Sequence, residues 1–259
     1  MNNFTLKLKN VYYKIDEREI LKNICFECSQ GEIIGIILGP NGSGKTTLLK
    51  TINGINKIDR GKILLNDKSI AEYKEKELAK KISFMNQNTN LGFDFSCIDV
   101  VVLGRYPYLE RFQEYSRKDI ETAEKYMKMT NTLNFKDKSI LELSGGERQR
   151  VLFAKVLTQE SDIMLLDEPS ASLDMMYEDE LFKHVESMKE ESKTVISVIH
   201  NLRIAVKYCT RLILLSNGEI VKDGKPEEVM TEENLNKVYG INARVYHNSI
   251  SGLLDFCIL

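Results

Sequence analysis

Gly39-Pro40-Asn41-Gly42-Ser43-Gly44-Lys45-Thr46 is the stretch that decides how this chain is read. It fits the spacing G-x-x-x-x-G-K-[ST], a phosphate-binding loop. Upstream, Ile33-Ile34-Gly35-Ile36-Ile37-Leu38 is an apolar run of strand length. Downstream, Thr46-Thr47-Leu48-Leu49-Lys50 opens a helical segment. A glycine loop between strand and helix lets several N–H groups converge on one anion, and the helix N-terminus adds partial positive charge. Lys45 is placed to reach the β- and γ-phosphates of a nucleotide, and the Thr46 hydroxyl to take a place on Mg²⁺. A glycine-rich turn could match by accident, but these flanks make a nucleoside triphosphate site the expected reading.

With 259 residues the chain can bury a large core as one domain or two coupled lobes. Its 42% apolar and 29% charged content is that of an ordinary globular protein, and the net charge of −2 gives no basic field for nucleic acid. No apolar run approaches the roughly eighteen residues of a membrane span, so a cytosolic protein is expected unless something else anchors it. Five cysteines, an odd number, argue against a disulfide framework. Cys25-x-x-Cys28 has no second pair at metal-ligand spacing and is read as two small strand side chains.

Several carboxylates and amides fall where an open α/β sheet presents side chains to a ligand. Ile82-Ser83-Phe84-Met85 reads as a strand that stops just before Gln87. Ile163-Met164-Leu165-Leu166 ends in Asp167-Glu168-Pro169, where Asp167 is suited to magnesium and Glu168 to a general base acting on water. Val195-Ile196-Ser197-Val198-Ile199 ends in His200. Leu143-Ser144-Gly145-Gly146-Glu147 contains a capping box, Ser144 with Glu147, so a helix begins there with glycine N–H groups open to an anion. An amphipathic helix is expected over residues 118–129, with Ile120, Ala123 and Met127 on one face, and another over about 177–191. Tyr106-Pro107-Tyr108 is expected to interrupt a helix or turn begun at Val100, and Ser216-Asn217-Gly218 to turn a hairpin. The apolar tail Gly252–Leu259 suggests no function.

The ordered set of phosphate loop, Gln87, Leu143 to Glu147, Asp167-Glu168, Asp174 and His200 resembles the ATP-binding cassette (ABC) ATPases across nearly the whole chain. The resemblance implies a P-loop core of RecA-like type with an antiparallel β subdomain (residues 1–88 and 159–224), a helical signature subdomain (89–158) and a C-terminal appendage (225–259). It implies a head-to-tail pair of ATPase subunits, in which Leu143, Ser144, Gly145, Gly146 and Glu147 of one copy close on nucleotide held by the other. Asp174 would lie at the dimer seam, and His200 at the γ-phosphate and attacking water. Lys45, Glu168, His200 and Gln87 would be catalytic, and Thr46, Gln87 and Asp167 would serve Mg²⁺. The family places an aromatic residue on adenine where this chain has Ile15, and Tyr13 is the candidate substitute. Leu103-Gly104-Arg105-Tyr106-Pro107-Tyr108-Leu109 is similar to the importer ATPases for iron-siderophore, haem and cobalamin. The implied partners are two transmembrane permease subunits, a second ATPase subunit and, indirectly, an extracytoplasmic solute-binding protein, with the chain at the cytoplasmic face of the membrane. The alternatives are an importer for a metal ion or other small solute, and a soluble ABC ATPase of cofactor assembly.

Overall fold

Alternating and continuous apolar patterns give different kinds of sheet in this chain, and the computed structural model describes residues 5–38, 44–87, 92 and 94–259. In chain order the elements run β1 (Thr5–Ile15), β2 (Arg18–Ser29), β3 (Ile33–Leu38), α1 (Lys45–Ile52), β4 (Arg60–Leu65), β5 (Lys68–Ser69), α2 (Glu75–Ala79) and β6 (Ile82–Met85). They continue with α3 (Cys97–Val102), α4 (Arg117–Met129), α5 (Gly145–Thr158), β7 (Ile163–Asp167), α6 (Met175–Ser187) and β8 (Thr194–Val198). The chain closes with α7 (Leu202–Tyr208), β9 (Arg211–Ser216), β10 (Glu219–Gly224), α8 (Pro226–Val229), α9 (Glu232–Tyr239), β11 (Ala243–His247) and β12 (Leu254–Ile258). Two compact units divide it, Met1–Tyr73 together with Phe182–Leu259, and Lys74–Leu181.

In the first unit β1 pairs antiparallel with β2 and β4, buries Leu6 and Leu8, and leaves Lys7 half-buried and Lys9 exposed. On β2, Cys28 is buried and Cys25 exposed, and burial pushes the Cys28 thiol up to about 12. The second sheet of this unit runs β10-β9-β3-β8. Here β3 lies between two parallel neighbours, β8 and β9, which is why it reads as an unbroken apolar run. Ile33, Ile34, Ile36, Val195, Ile196 and Val198 are all essentially inaccessible to water. Burial of each such side chain stabilises the fold by about 1.5–3 kcal/mol. Gly35 sits where a Cβ would meet Cys209 Sγ at 2.8 Å, so the strand can carry only glycine at that step without displacing its neighbours. The β9–β10 hairpin turns at Asn217 and Gly218, both with positive φ, as the sequence leads one to expect. The tail folds as β12, paired antiparallel with β11 from Ala243↔Ile258 to His247↔Leu254.

In the second unit β6 and β7 pair in parallel from Ile82↔Ile163 to Met85↔Leu166, and α3, α4 and α5 fall between them in sequence. Helix α5 buries Val151, Leu152, Phe153, Val156 and Leu157 and packs against α3 and α4.

Three local expectations are adjusted. The segment after α3 does not break at Tyr106; it continues as a 3-10 turn over Leu103–Tyr108. Gly104 allows that turn to lie on α5, since a Cβ there would stand 2.4 Å from the Lys155 carbonyl oxygen. On α4, Ala123 and Met127 are buried as expected, but Asp119 is buried too, and Ile120 is half-buried. The cause is Arg105, whose Nε donates to Asp119 Oδ1 at 3.1 Å and whose Nη1 donates to Thr158 O and Glu160. Helix α6 covers 175–187 rather than 177–191, because Asp174 caps it two residues earlier and turns take over after Ser187.

Candidate functional site

The site residues are held separately by the two units. In the first, β3 delivers the chain to the phosphate loop, of which Gly39, Pro40, Asn41, Gly42 and Ser43 lie outside the described residues. Gly44 precedes α1 with φ 95°, and a Cβ on it would meet Ile20 O at 2.9 Å and Leu21 Cδ2 at 3.0 Å. Only glycine takes that conformation at no steric cost. Helix α1 is anchored by Leu48, Leu49 and Ile52, and Lys45 at its first position is 7% exposed. Thr46 and Thr47 follow, half-buried, in the first turn, where backbone N–H groups have no partner within the helix. An anion is the natural acceptor for such groups.

Tyr13 and Ile15 stand on the neighbouring β1. Tyr13 is half-buried and pairs with Leu21, the residue packed beneath Gly44, whereas Ile15 is 51% exposed and pairs with Arg18. Tyr13 is thus one strand away from the start of the phosphate-loop helix. His200 is exposed two residues beyond β8, and Ile199 N–H donates to Ile36 O at 3.2 Å. Since β3 and β8 are parallel neighbours, with Ile36 opposite Val198, Lys45 and His200 both follow the carboxyl ends of adjacent strands. That edge is where open α/β sheets receive ligands.

In the second unit the parallel pair β6–β7 places Gln87 and Asp167-Glu168 together at its own carboxyl end. Asp167 is 0% exposed, and Gln87 Nε2 donates to Glu168 Oε2 at 2.6 Å. That bond leaves the Gln87 carbonyl oxygen facing elsewhere. Like the Asp167 carboxylate beside it in this unit, that oxygen is a chemically hard donor of the kind magnesium takes. Glu168 is itself in left-handed backbone at φ 51°. The bend is braced by Gln149, 1% exposed, whose Nε2 donates to Pro169 O at 2.9 Å and Glu168 O at 3.4 Å.

Helix α5 opens at Leu143 to Glu147. Leu143 is buried, and Ser144 caps the helix. Glu147 Oε2 accepts from Ser144 N–H at 2.9 Å and from its hydroxyl at 2.7 Å, and these bonds hold the Glu147 carboxyl below its usual range. Gly145 is exposed, and both glycines lie against Ser172: a Cβ on Gly146 would be 3.0 Å from Ser172 O, and one on Gly145 3.5 Å from Ser172 Cβ. Asp174 is exposed and caps α6, accepting from Met176 and Tyr177 N–H at 3.1 and 3.0 Å.

Sequence reasoning missed Gln149. Its signal was present: Gln149, Leu152, Phe153 and Val156 share one helical stripe, and a lone amide heading an apolar stripe needs a buried partner. Among the described residues no helix is long and apolar enough to cross a membrane.

Comparison with known proteins bears on the same residues. The profile of the ABC transporter family matches residues 21–171. The ferric enterobactin transport ATP-binding protein FepC of Escherichia coli (strain K12) is 35% identical over 234 residues, 90% of this chain and 86% of that protein. The hemin import ATP-binding protein HmuV of Pseudoalteromonas translucida (strain TAC 125) is 34% identical over 249 residues, 93% of this chain and 94% of that one. Among solved structures, a metal-chelate type ABC transporter in an inward-facing conformation superposes with a TM-score of 0.85 at 25% identity, covering 100% of this chain and 98% of its own.

Proposed function

This chain belongs to the ABC transporter family, and from that premise we propose that it is the ATP-hydrolysing subunit of an importer for an iron chelate or haem. The chemistry is conversion of ATP and water to ADP and phosphate. The observation that carries hydrolysis is the Glu168 carboxylate, steered by Gln87 at 2.6 Å and set on a braced bend beside buried Asp167. The substrate class rests on the relatives, which are named for ferric enterobactin and hemin.

Each residue then has a task. The phosphate loop from Gly39, with Lys45, binds the triphosphate, and Tyr13 rather than exposed Ile15 takes the adenine side. Thr46, Gln87 and Asp167 carry the oxygens that would hold magnesium, which would supply charge neutralisation at the β- and γ-phosphates. Glu168 accepts a proton from the attacking water, and His200 orients the γ-phosphate side of the reaction. Leu143 to Glu147 present α5's N-terminus to nucleotide held by a second copy, with Asp174 at the seam. Closing that pair drives two permease subunits, which hold the chain at the cytoplasmic face of the membrane.

Uptake of labelled ferric siderophore and of labelled haem, in cells carrying the native chain or Glu168→Gln, tests this reading. Loss of either uptake with ATP binding retained supports it. Uptake of both at native rates in the variant would remove the iron-chelate and haem assignment.

A further inference from the structure

The C-terminal hairpin has no task in the mechanism above, yet it is tied to the segment that carries His200. Strand β12 packs against α7, the helix that begins two residues after the histidine. On β12, Asp255 is 13% exposed and accepts three donors: Arg203 Nε at 2.9 Å, Phe256 N–H at 2.9 Å and Asn248 Nδ2 at 3.5 Å. Arg203 lies in the first turn of α7, and its own N–H donates to the capping Asn201 Oδ1 at 3.2 Å. Asn201 is the residue after His200. The path from the hairpin carboxylate to the histidine therefore has two hydrogen-bonded steps and one peptide link. Across an open cavity of about 570 Å³, His200 and Arg203 face Tyr246, Phe256 and Ile258 of the hairpin. All of these residues belong to one compact unit.

We propose that the C-terminal hairpin positions His200 for ATP hydrolysis, with Asp255 and Arg203 as the positioning pair that fixes the turn between β8 and α7. The inference rests on the ATPase reading and deepens it. Arg203 is 70% exposed, and an ion pair so open to water contributes little to global stability. Its effect should be seen in turnover, where a small misplacement of a reacting group is costly.

The test measures kcat and KM for ATP, with thermal melting, on the full chain and on Asp255→Ala, Asp255→Asn, Arg203→Ala and the double alanine variant. We expect Asp255→Ala to lower kcat about tenfold with KM and melting unchanged. Asp255→Asn keeps an acceptor for Arg203 and Phe256 and should recover most of the turnover. The double variant should be no slower than either single one, because the two residues act through one link. Native kcat in Asp255→Ala, a kcat loss that follows a fall in melting temperature, or effects that multiply in the double variant would each overturn the proposal. A native chain that does not hydrolyse ATP overturns the ATPase reading as well. Hydrolysis abolished by Glu168→Gln but untouched by Asp255→Ala overturns this inference alone.

Discussion

Gln149 donates its side-chain N–H to the Pro169 carbonyl at 2.9 Å, and so ties the start of α5 to the bend that carries Glu168. The same amide reaches Glu168 O at 3.4 Å. A left-handed glutamate is a costly conformation, and this amide supplies donors to the two carbonyls that the bend turns inward.

Replacing it tests that account. Gln149→Leu keeps the bulk but removes the donor to the Pro169 carbonyl, while Glu168 O keeps the Ala171 N–H at 3.2 Å, and the loss costs about 1–3 kcal/mol. Urea unfolding should show the loss, and hydrolysis should fall while ATP still binds. An unchanged unfolding midpoint would mean that the bend holds without the amide.

Gly44 tests the phosphate-loop helix. An alanine there would have to adopt φ 95° with its Cβ 2.9 Å from Ile20 O. We expect Gly44→Ala to weaken ATP binding at least about tenfold, in keeping with the roughly 1–2 kcal/mol cost of left-handed backbone in a residue with a Cβ. Titration with a fluorescent ATP analogue measures it, and native affinity would show that the loop can move away from β2.

Gly104 tests the packing of the 3-10 turn on α5. A methyl group placed 2.4 Å from Lys155 O must push two backbones apart. Gly104→Ala should destabilise by about 1–3 kcal/mol on chemical unfolding. A variant as stable as the native chain would mean that the turn is free to slide along the helix.

The Arg105–Asp119 pair predicts a pH dependence. Burial alone would raise the Asp119 carboxyl, but hydrogen bonds from the Ser116 hydroxyl and N–H, and the Arg105 guanidinium, outweigh it and hold the group below its usual range. A carboxyl lowered by folding contributes stability that is complete above its unfolded pKa and is lost as pH falls through the folded one. Comparing unfolding of the native chain and Asp119→Asn between about pH 7 and about pH 3, the native advantage should shrink as acid is added. A constant difference across that range would show that Asp119 does not titrate with folding.

The motifs were legible because their chemistry is local. Glycine spacing, Ser144 with Glu147, and carboxylates ending an apolar run each need only a few neighbouring residues. What was not legible depends on residues far apart in the chain. On α4 the pattern singles out Ile120, Ala123 and Met127 and says nothing of Asp119, which Arg105 reaches from outside the helix. The apolar tail carries no motif, and its place is set by the pairing of β12 with β11 and by the bond from Arg203, 52 positions away, to Asp255.

By itself the sequence determined the α/β class, the phosphate loop, the capped start of α5 and the identity of the strand-end acids, because backbone preferences and side-chain type act over one turn or one strand. Only the tertiary structure decided that Gln149 braces Glu168, that Gly104 must be small and that the hairpin flanks His200. Those outcomes depend on which surfaces meet: the stripe on α5 marks Gln149 as needing a partner, but only packing decides that the partner is the Pro169 carbonyl at 2.9 Å.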